Sequence, residues 1–305
     1  MRLFNLGQKE KLESIKELPF KLEKEIQKIS ESNLEIIFGL YFVKSEFSLS
    51  GFRIDTLAFE KETSSFVIIE YKRDKNFSVI DQGYAYLSLM LNNKADFILE
   101  YNENCKDNLK KANVDWSQSK VIFVSPSFTP YQREAINFKD LPIELWEIKR
   151  YSNDSIIYNQ IKTSGAQESI KTISKQDETI EKVSKEIKVY TEQEHLSKTS
   201  DETRELYEKF KNAILALDNI EIKPTKLYVA FIAGSNIADV RLQQNGLKMW
   251  INLAKGELDD PKELSRDVSN VGHWGNGSYE IKIENEENLE YIMNLIKQSL
   301  KKNKR

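Results

Sequence analysis

The sequence predicts an α/β chain in two parts: an N-terminal α/β/α unit with a mixed sheet and a smaller C-terminal α+β unit. Three observations carry this. Residues 52–86 read as strand, turn, strand, turn, helix. A composition break over 152–191 separates two halves that each contain helices and strands. The second half also holds an Asn-Gly hairpin signal, at Gln244-Asn245-Gly246.

The first half opens with a helical stretch from Pro19 to Phe42. Phe20, Leu22, Ile26 and Ile29 recur at helical spacing, then Leu34, Ile36, Ile37 and Leu40 continue after Ser30-Glu31-Ser32-Asn33. Residues 52–59 are β-branched and aromatic and break at a polar run, as a strand does at a turn. Phe66-Val67-Ile68-Ile69-Glu70-Tyr71-Lys72 has the length of a buried strand. Ser78 and Asp81 form a capping-box-like helix start, and Val79, Tyr86, Leu89 and Met90 supply its apolar stripe. Asp96–Tyr101 reads as a third strand, and 102–119 as a polar loop with a short helix. Val121-Ile122-Phe123-Val124 is a buried strand run. Thr129-Pro130-Tyr131-Gln132 combines an N-cap, a first-turn proline and a capping-box glutamine, starting a helix to about Phe138. Ile143–Ile148 alternates apolar and charged residues, which predicts an edge strand with one wet face. The first domain therefore spans 1–151.

Residues 152–191 are dominated by Lys, Glu, Ser, Gln, Thr and Ile, a composition that buries little core and predicts a polar linker, partly helical. The second domain spans 192–305. Leu206, Phe210, Ile214 and Leu217 mark a helix, and Leu227–Ile232 a strand. Two further strands flank the hairpin signal, and Asp259-Asp260-Pro261 precedes an expected short helix. A glycine-rich run, Gly272-His273-Trp274-Gly275-Asn276-Gly277, leads into the strand Tyr279–Ile283. A terminal amphipathic helix turns Leu289, Ile292, Met293 and Ile296 inward.

Charge and cysteine content narrow the function. The formal charge of −3 over 305 residues gives no global basic footprint for nucleic acid, which leaves any contact to a local patch. Cys105 is the only cysteine, so no internal disulfide exists and a reducing, cytoplasmic setting is expected. No signal-peptide pattern opens the chain, and its longest apolar run, Leu34–Val43, is too short to span a bilayer. No membrane partner is expected.

The chemistry concentrates in the second strand. Glu70 and Lys72 lie two apart and point to one face, and Asp55 on the preceding strand can bring a second carboxylate there. An unpaired buried charge is costly, so such a pair in an apolar strand points to use. Two carboxylates can hold Mg²⁺ or Mn²⁺, which keeps waters and suits phosphate substrates, while a lysine steadies phosphate or nucleophile. Asp55 with Glu70-Tyr71-Lys72 resembles the Asp…(Asp/Glu)-x-Lys signature of the PD-(D/E)xK nuclease superfamily. Gln82 and Tyr86, four apart on the next helix, resemble the Gln-x-x-x-Tyr element of its helicase-associated branch. The resemblance covers about residues 1–151 and implies a restriction-endonuclease-like fold. It further implies metal ligation by Asp55 and Glu70, a phosphate or water role for Lys72, and orientation of site groups by Gln82, with Tyr86 supporting it. A carboxylate on the first core helix often joins the metal site in this superfamily, a place Glu35 resembles. Glu31 is a competing candidate, one turn earlier. The implied partner is nucleic acid, with DNA ahead of RNA, and many such nucleases act as homodimers. Arg73 and Lys75 are candidate phosphate contacts, against the plainer reading of a solvated turn.

The second half resembles an uncharacterised bacterial α+β family whose relatives sometimes carry a transport-protein label. That label conflicts with the lack of a membrane segment. His273 has no nearby cysteine, histidine or nucleophile, so a tight loop in which Trp274 packs and His273 makes a satisfied hydrogen bond is the simpler reading. Trp274 stacking on a base is the functional alternative. Two functions remain: a metal-dependent nuclease, or a catalytically silent nuclease-fold module binding nucleic acid or protein.

Overall fold

The computed structural model describes residues 3–73, 77–138, 140–162, 168–170, 177–273 and 275–303, with Lys9 by its backbone alone. The chain begins with a two-stranded antiparallel arm, β1 (Leu3–Leu6) and β2 (Leu12–Ile15), followed by the short strand β3 (Glu17–Leu18). Helices α1 (Glu23–Glu31) and α2 (Leu34–Phe38) follow. Gly39, at φ +69°, ends α2 in the left-handed conformation that costs glycine nothing. The strands β4 (Tyr41–Leu49), β5 (Phe52–Glu60) and β6 (Ser65–Tyr71) make an antiparallel meander. Then come α3 (Val79–Asn92), α4 (Lys94–Cys105), β7 (Lys120–Ser125), α5 (Pro130–Ala135), β8 (Ile143–Tyr151), β9 (Ile156–Ile161) and α6 (Glu178–Glu186).

Among the described residues these strands form a seven-stranded sheet in the order β3-β8-β7-β6-β5-β4, with β9 also paired to β8. The β6–β7 and β7–β8 pairings are parallel and the others antiparallel, the expected mixed sheet. β6 is buried along its whole length. Phe66 and Ile68 pack with Leu87 and Met90 of α3, Phe97 of α4 and Val183 of α6. Val67, Ile69 and Tyr71 face the other way, onto Ile26 of α1 and Leu34 of α2. Strand alternation thus builds an α/β/α sandwich, the class the sequence predicts.

Three first-half expectations change. The helical stretch expected to reach Phe42 stops at Gly39, and Tyr41–Leu49 is the edge strand β4. Asp96–Tyr101, expected as a strand, lies inside helix α4, which buries Phe97 and Tyr101 at a four-residue spacing. The stretch 152–191, expected as a linker, adds β9 to the sheet and α6 to the core, so the boundary between compact units falls between Val189 and Tyr190.

The second unit contains α7 (Glu192–Leu196), α8 (Asp201–Leu215), β10 (Glu221–Pro224), β11 (Val229–Ala233), β12 (Ser235–Gln243), β13 (Gly246–Ile251), β14 (Arg266–Asp267), β15 (Tyr279–Ile283) and α9 (Leu289–Asn303). Its sheet is antiparallel, ordered β10-β11-β12-β13-β15-β14. Leu247, Met249 and Ile251 pack against Phe210 and Ile214 of α8 and Ile292 and Ile296 of α9. The expected hairpin joins β12 to β13, with Gln243 opposite Gly246. The short helix expected directly after Pro261 is absent among the described residues 261–273. Instead Asp260 closes a turn, accepting from the Ser265 backbone N–H at 2.7 Å and the Tyr291 hydroxyl at 2.6 Å. No helix among the described residues is long and apolar enough to cross a membrane.

Candidate active site

The β5–β6 register brings the two acids together. Thr56 pairs with Ile69 and Leu57 with Ile68, so one more step sets Asp55 opposite Glu70. Asp55 shares strand parity with Leu57 and Phe59, and Glu70 with Phe66 and Ile68, all in the core beneath α3. Asp55 Oδ2 accepts the Tyr71 N–H at 3.0 Å, which fixes the carboxylate at the strand end. Lys72 follows the last residue of β6. Its N–H donates to the Val124 carbonyl of β7 at 2.9 Å, and its ammonium lies 2.9 Å from Glu70 Oε1.

Helix α3 completes the cluster. Ser78 caps it by accepting the Asp81 N–H at 3.3 Å. Gly83 lets it approach the sheet, since a Cβ there would sit 2.4 Å from Ile143 Cδ1. Gln82 Nε2 then points to Glu70 Oε1 at 3.5 Å and donates to the Tyr86 hydroxyl at 3.3 Å. The Tyr86 hydroxyl donates to the Arg53 carbonyl at 3.3 Å, linking helix and β5. Asp55, Glu70, Lys72, Gln82 and Tyr86 therefore converge.

The electrostatics are those of acids held away from water. Glu70 is 4 % exposed; among the described residues its buried Oε2 meets no donor at full hydrogen-bond geometry, although the nearby Tyr86 hydroxyl still favours its charged form. Burial raises the Glu70 pKa, the Asp55 charge raises it further, and Lys72 opposes both. Burial also raises Asp55, against the Tyr71 N–H and Lys72. The Tyr86 hydroxyl is pushed up by burial and by Glu70, so it stays protonated.

Unfolded, these carboxyls titrate near about 4. Folded, they hold protons to higher pH, so the native state binds more protons through that window. Stability falls as pH rises across it, and above it the full cost of two adjacent charges stands. Asparagine at 55 can still accept from Tyr71 without carrying charge. In metal-free buffer at neutral pH, Asp55→Asn is expected to raise Tm by roughly 2–4 °C. The gain should shrink as pH falls through the window. A lower Tm for the variant by scanning calorimetry at neutral pH would contradict this.

Other expected site residues stand elsewhere. Glu35 is exposed on α2, which packs on the face opposite to Glu70. Among the described residues no three acidic, histidine or cysteine side chains are grouped to share a cation, so Glu35 does not join the pair. Glu31 lies on that opposite face too, accepting from Thr56 Oγ1 at 2.6 Å and Gln27 Nε2 at 2.9 Å. The backbone N–H of Arg73 donates to Glu23 at 2.8 Å, and its guanidinium donates to the Lys21 carbonyl at 2.7 Å. Lys75 and Trp274 lie outside the described residues. His273 Nδ1 contacts the Val271 carbonyl at 2.7 Å within its own loop, as the simpler reading expects.

One acid escaped the sequence. Ser45 pairs with Thr56 and Phe47 with Ile54, which sets Glu46 of β4 opposite Asp55 and continues the row to Glu70. Its backbone is left-handed, φ +55°. The carboxylate is held by Lys24 at 2.6 Å and Arg53 Nε at 2.9 Å. Its charge nonetheless adds to the upward pull on Asp55.

Residues 192–303 match the family described as "Domain of unknown function (DUF5655)". An uncharacterised protein of Haemophilus influenzae is 57 % identical over 302 residues, covering 99 % of this chain and all of that one. Among solved structures, a repair endonuclease from Pyrococcus abyssi has TM-score 0.26 at 16 % identity, over 43 % of this chain and 49 % of its own. EndoMS in apo form has TM-score 0.26 at 15 % identity, over 44 % and 60 %. SfsA of Pyrococcus furiosus in complex with Ca²⁺ has TM-score 0.24 at 13 % identity, over 52 % and 74 %. Likeness at this level adds nothing to the site, which rests on the chain's own geometry.

Proposed function

We propose that this chain, which belongs to one family with the uncharacterised Haemophilus influenzae protein, is a metal-dependent nuclease that hydrolyses phosphodiester bonds, with DNA the favoured substrate. The observation that carries the reading is the pair of acids set opposite each other on adjacent strands, Asp55 and the buried Glu70, whose Oε2 meets no donor at full hydrogen-bond geometry among the described residues. Burying an ionised carboxylate with only one oxygen partnered is costly, and a hard divalent cation at the other oxygen offsets that cost. Asp55 and Glu70 would hold Mg²⁺ or Mn²⁺, and two protein carboxylates leave room for the waters such ions retain. A bound ion of this kind supplies an acidified water and charge stabilisation on the phosphate.

The chain's own groups supply the rest. Lys72 offers its ammonium beside Glu70 to a phosphate whose negative charge grows during displacement. Gln82 spans Glu70 and the Tyr86 hydroxyl and keeps the carboxylate in one rotamer. Tyr86 stays neutral and anchors that link to β5.

A second reading, a catalytically silent module on the same fold, draws support from the Lys72 ammonium, which already pairs with Glu70 Oε1. Cleavage separates the two. Purified protein incubated with single- and double-stranded DNA and with RNA is expected to cut at least one substrate with Mg²⁺ or Mn²⁺. It should cut none with chelator, and Asp55→Ala should cut none. No cleavage of any substrate would favour the silent module. Cleavage surviving Asp55→Ala would remove the site from the chemistry.

A further inference from the structure

Glu46 raises a question that the catalytic residues leave open. It stands in register with Asp55 and Glu70, yet its left-handed backbone is a conformation that a non-glycine residue adopts at a cost. Its two oxygens bridge two cations from different elements: Oε1 meets Lys24 of α1 at 2.6 Å, and Oε2 meets Arg53 of β5 at 2.9 Å. Both cations are largely exposed, with side-chain exposures of 61 % and 68 %. Arg53 lies two residues before Asp55, and its carbonyl receives the Tyr86 hydroxyl, so its backbone is built into the site. Gln27, one helical turn after Lys24 on α1, donates to the Asp55 carbonyl at 2.9 Å, so the other cation's helix is tied to the same point.

We propose that Lys24 and Arg53 form a seat for a backbone phosphate of the nucleic-acid substrate, and that Glu46 occupies it as an internal surrogate until the strand arrives. A carboxylate bridging an ammonium and a guanidinium presents two anionic oxygens to two donors, as a phosphate does. The pair is solvent-facing and only weakly held, so an arriving phosphate can displace it at little cost. This rests on the nuclease reading for the identity of the substrate, and adds to it the point where the strand beside the scissile bond is gripped.

Binding of fluorescein-labelled DNA oligonucleotides, followed by anisotropy in Ca²⁺ over rising NaCl, tests the seat apart from cleavage. Glu46→Gln frees both cations and is expected to tighten binding severalfold. Lys24→Ala/Arg53→Ala is expected to weaken it about tenfold and to flatten the slope of log Kd against log salt by about 0.7–0.9, as the loss of one neutralised phosphate requires. If Glu46 only pins α1 to β4, Glu46→Gln lowers Tm and does not tighten binding, which overturns the proposal. So does a double variant, folded by circular dichroism, that keeps the wild-type slope, and so does wild-type protein that binds no oligonucleotide. Wild-type cleavage with an unchanged double variant discards the seat and keeps the nuclease. Tightened binding without any cleavage keeps the seat and discards the nuclease.

Discussion

Lys72→Ala is expected to lower the cleavage rate by about a hundred- to a thousandfold while leaving affinity for Mg²⁺ or Mn²⁺ intact, because one preorganised charge aimed at the reacting phosphate typically has this effect. The ammonium lies at the end of a fully buried strand, held by Glu70 Oε1 at 2.9 Å and by the backbone bond from Lys72 to Val124. Its position therefore costs little reorganisation when a phosphate arrives. Alanine removes the charge and releases Glu70 Oε1, so the carboxylate pair loses no ligand atom. Single-turnover rates and metal titrations on both proteins check this. A variant that cuts at the wild-type rate would take Lys72 out of the mechanism. One that loses metal affinity would mean that Lys72 acts by shaping the carboxylates.

Gly277→Ala is expected to destabilise the second unit by about 3 kcal/mol, at the upper end of what overpacking usually costs. A Cβ at 277 would lie 2.0 Å from the Ile251 carbonyl oxygen, and one at Gly275 would lie 2.5 Å from the Trp250 ring. Backbone at one site and a fully buried indole at the other cannot step aside as a chain end can. The loop also docks through Asn276, whose N–H donates to buried Asp239 at 2.7 Å and whose amide donates to the Tyr228 hydroxyl at 2.9 Å. Gly275 and Gly277 are thus explained by close approach to β13, with no catalytic role required of His273. Denaturant unfolding is the check. A variant as stable as wild type would mean the loop does not lie on β13.

The carboxylate pair was legible because strand alternation is local. Glu70 and Lys72 sit in an apolar run whose register to β5 follows from a short turn, and Gln82 and Tyr86 share a helical face by spacing alone. Glu35 was misplaced because its role depends on which sheet face α2 covers, a tertiary fact that helical periodicity does not carry. Glu46 was invisible for a related reason. The expected helix runs on to Phe42, into the start of β4, although Gly39 supplies the stop signal, and 43–51 are given no element; without β4 there is no register to set Glu46 beside Asp55. Phe97-Ile98-Leu99 reads as a strand run in isolation, yet Phe97 and Tyr101 make a helical face, an ambiguity that short apolar runs always carry. The polar stretch after Tyr151 hid β9 and α6, whose few apolar residues, Ile180 and Val183 among them, suffice once α3 is there to receive them.

If Asp55 and Glu70 share one divalent cation, Mn²⁺ titration by isothermal calorimetry reads that ion at the two carboxylates. Wild type should bind Mn²⁺ at a site that Glu70→Ala weakens by at least about tenfold, the scale on which even supporting groups act at metal sites. Asp55→Ala should weaken it likewise, with both variants folded. Unchanged Mn²⁺ affinity in both folded variants, or no binding by wild type, would contradict the shared ion.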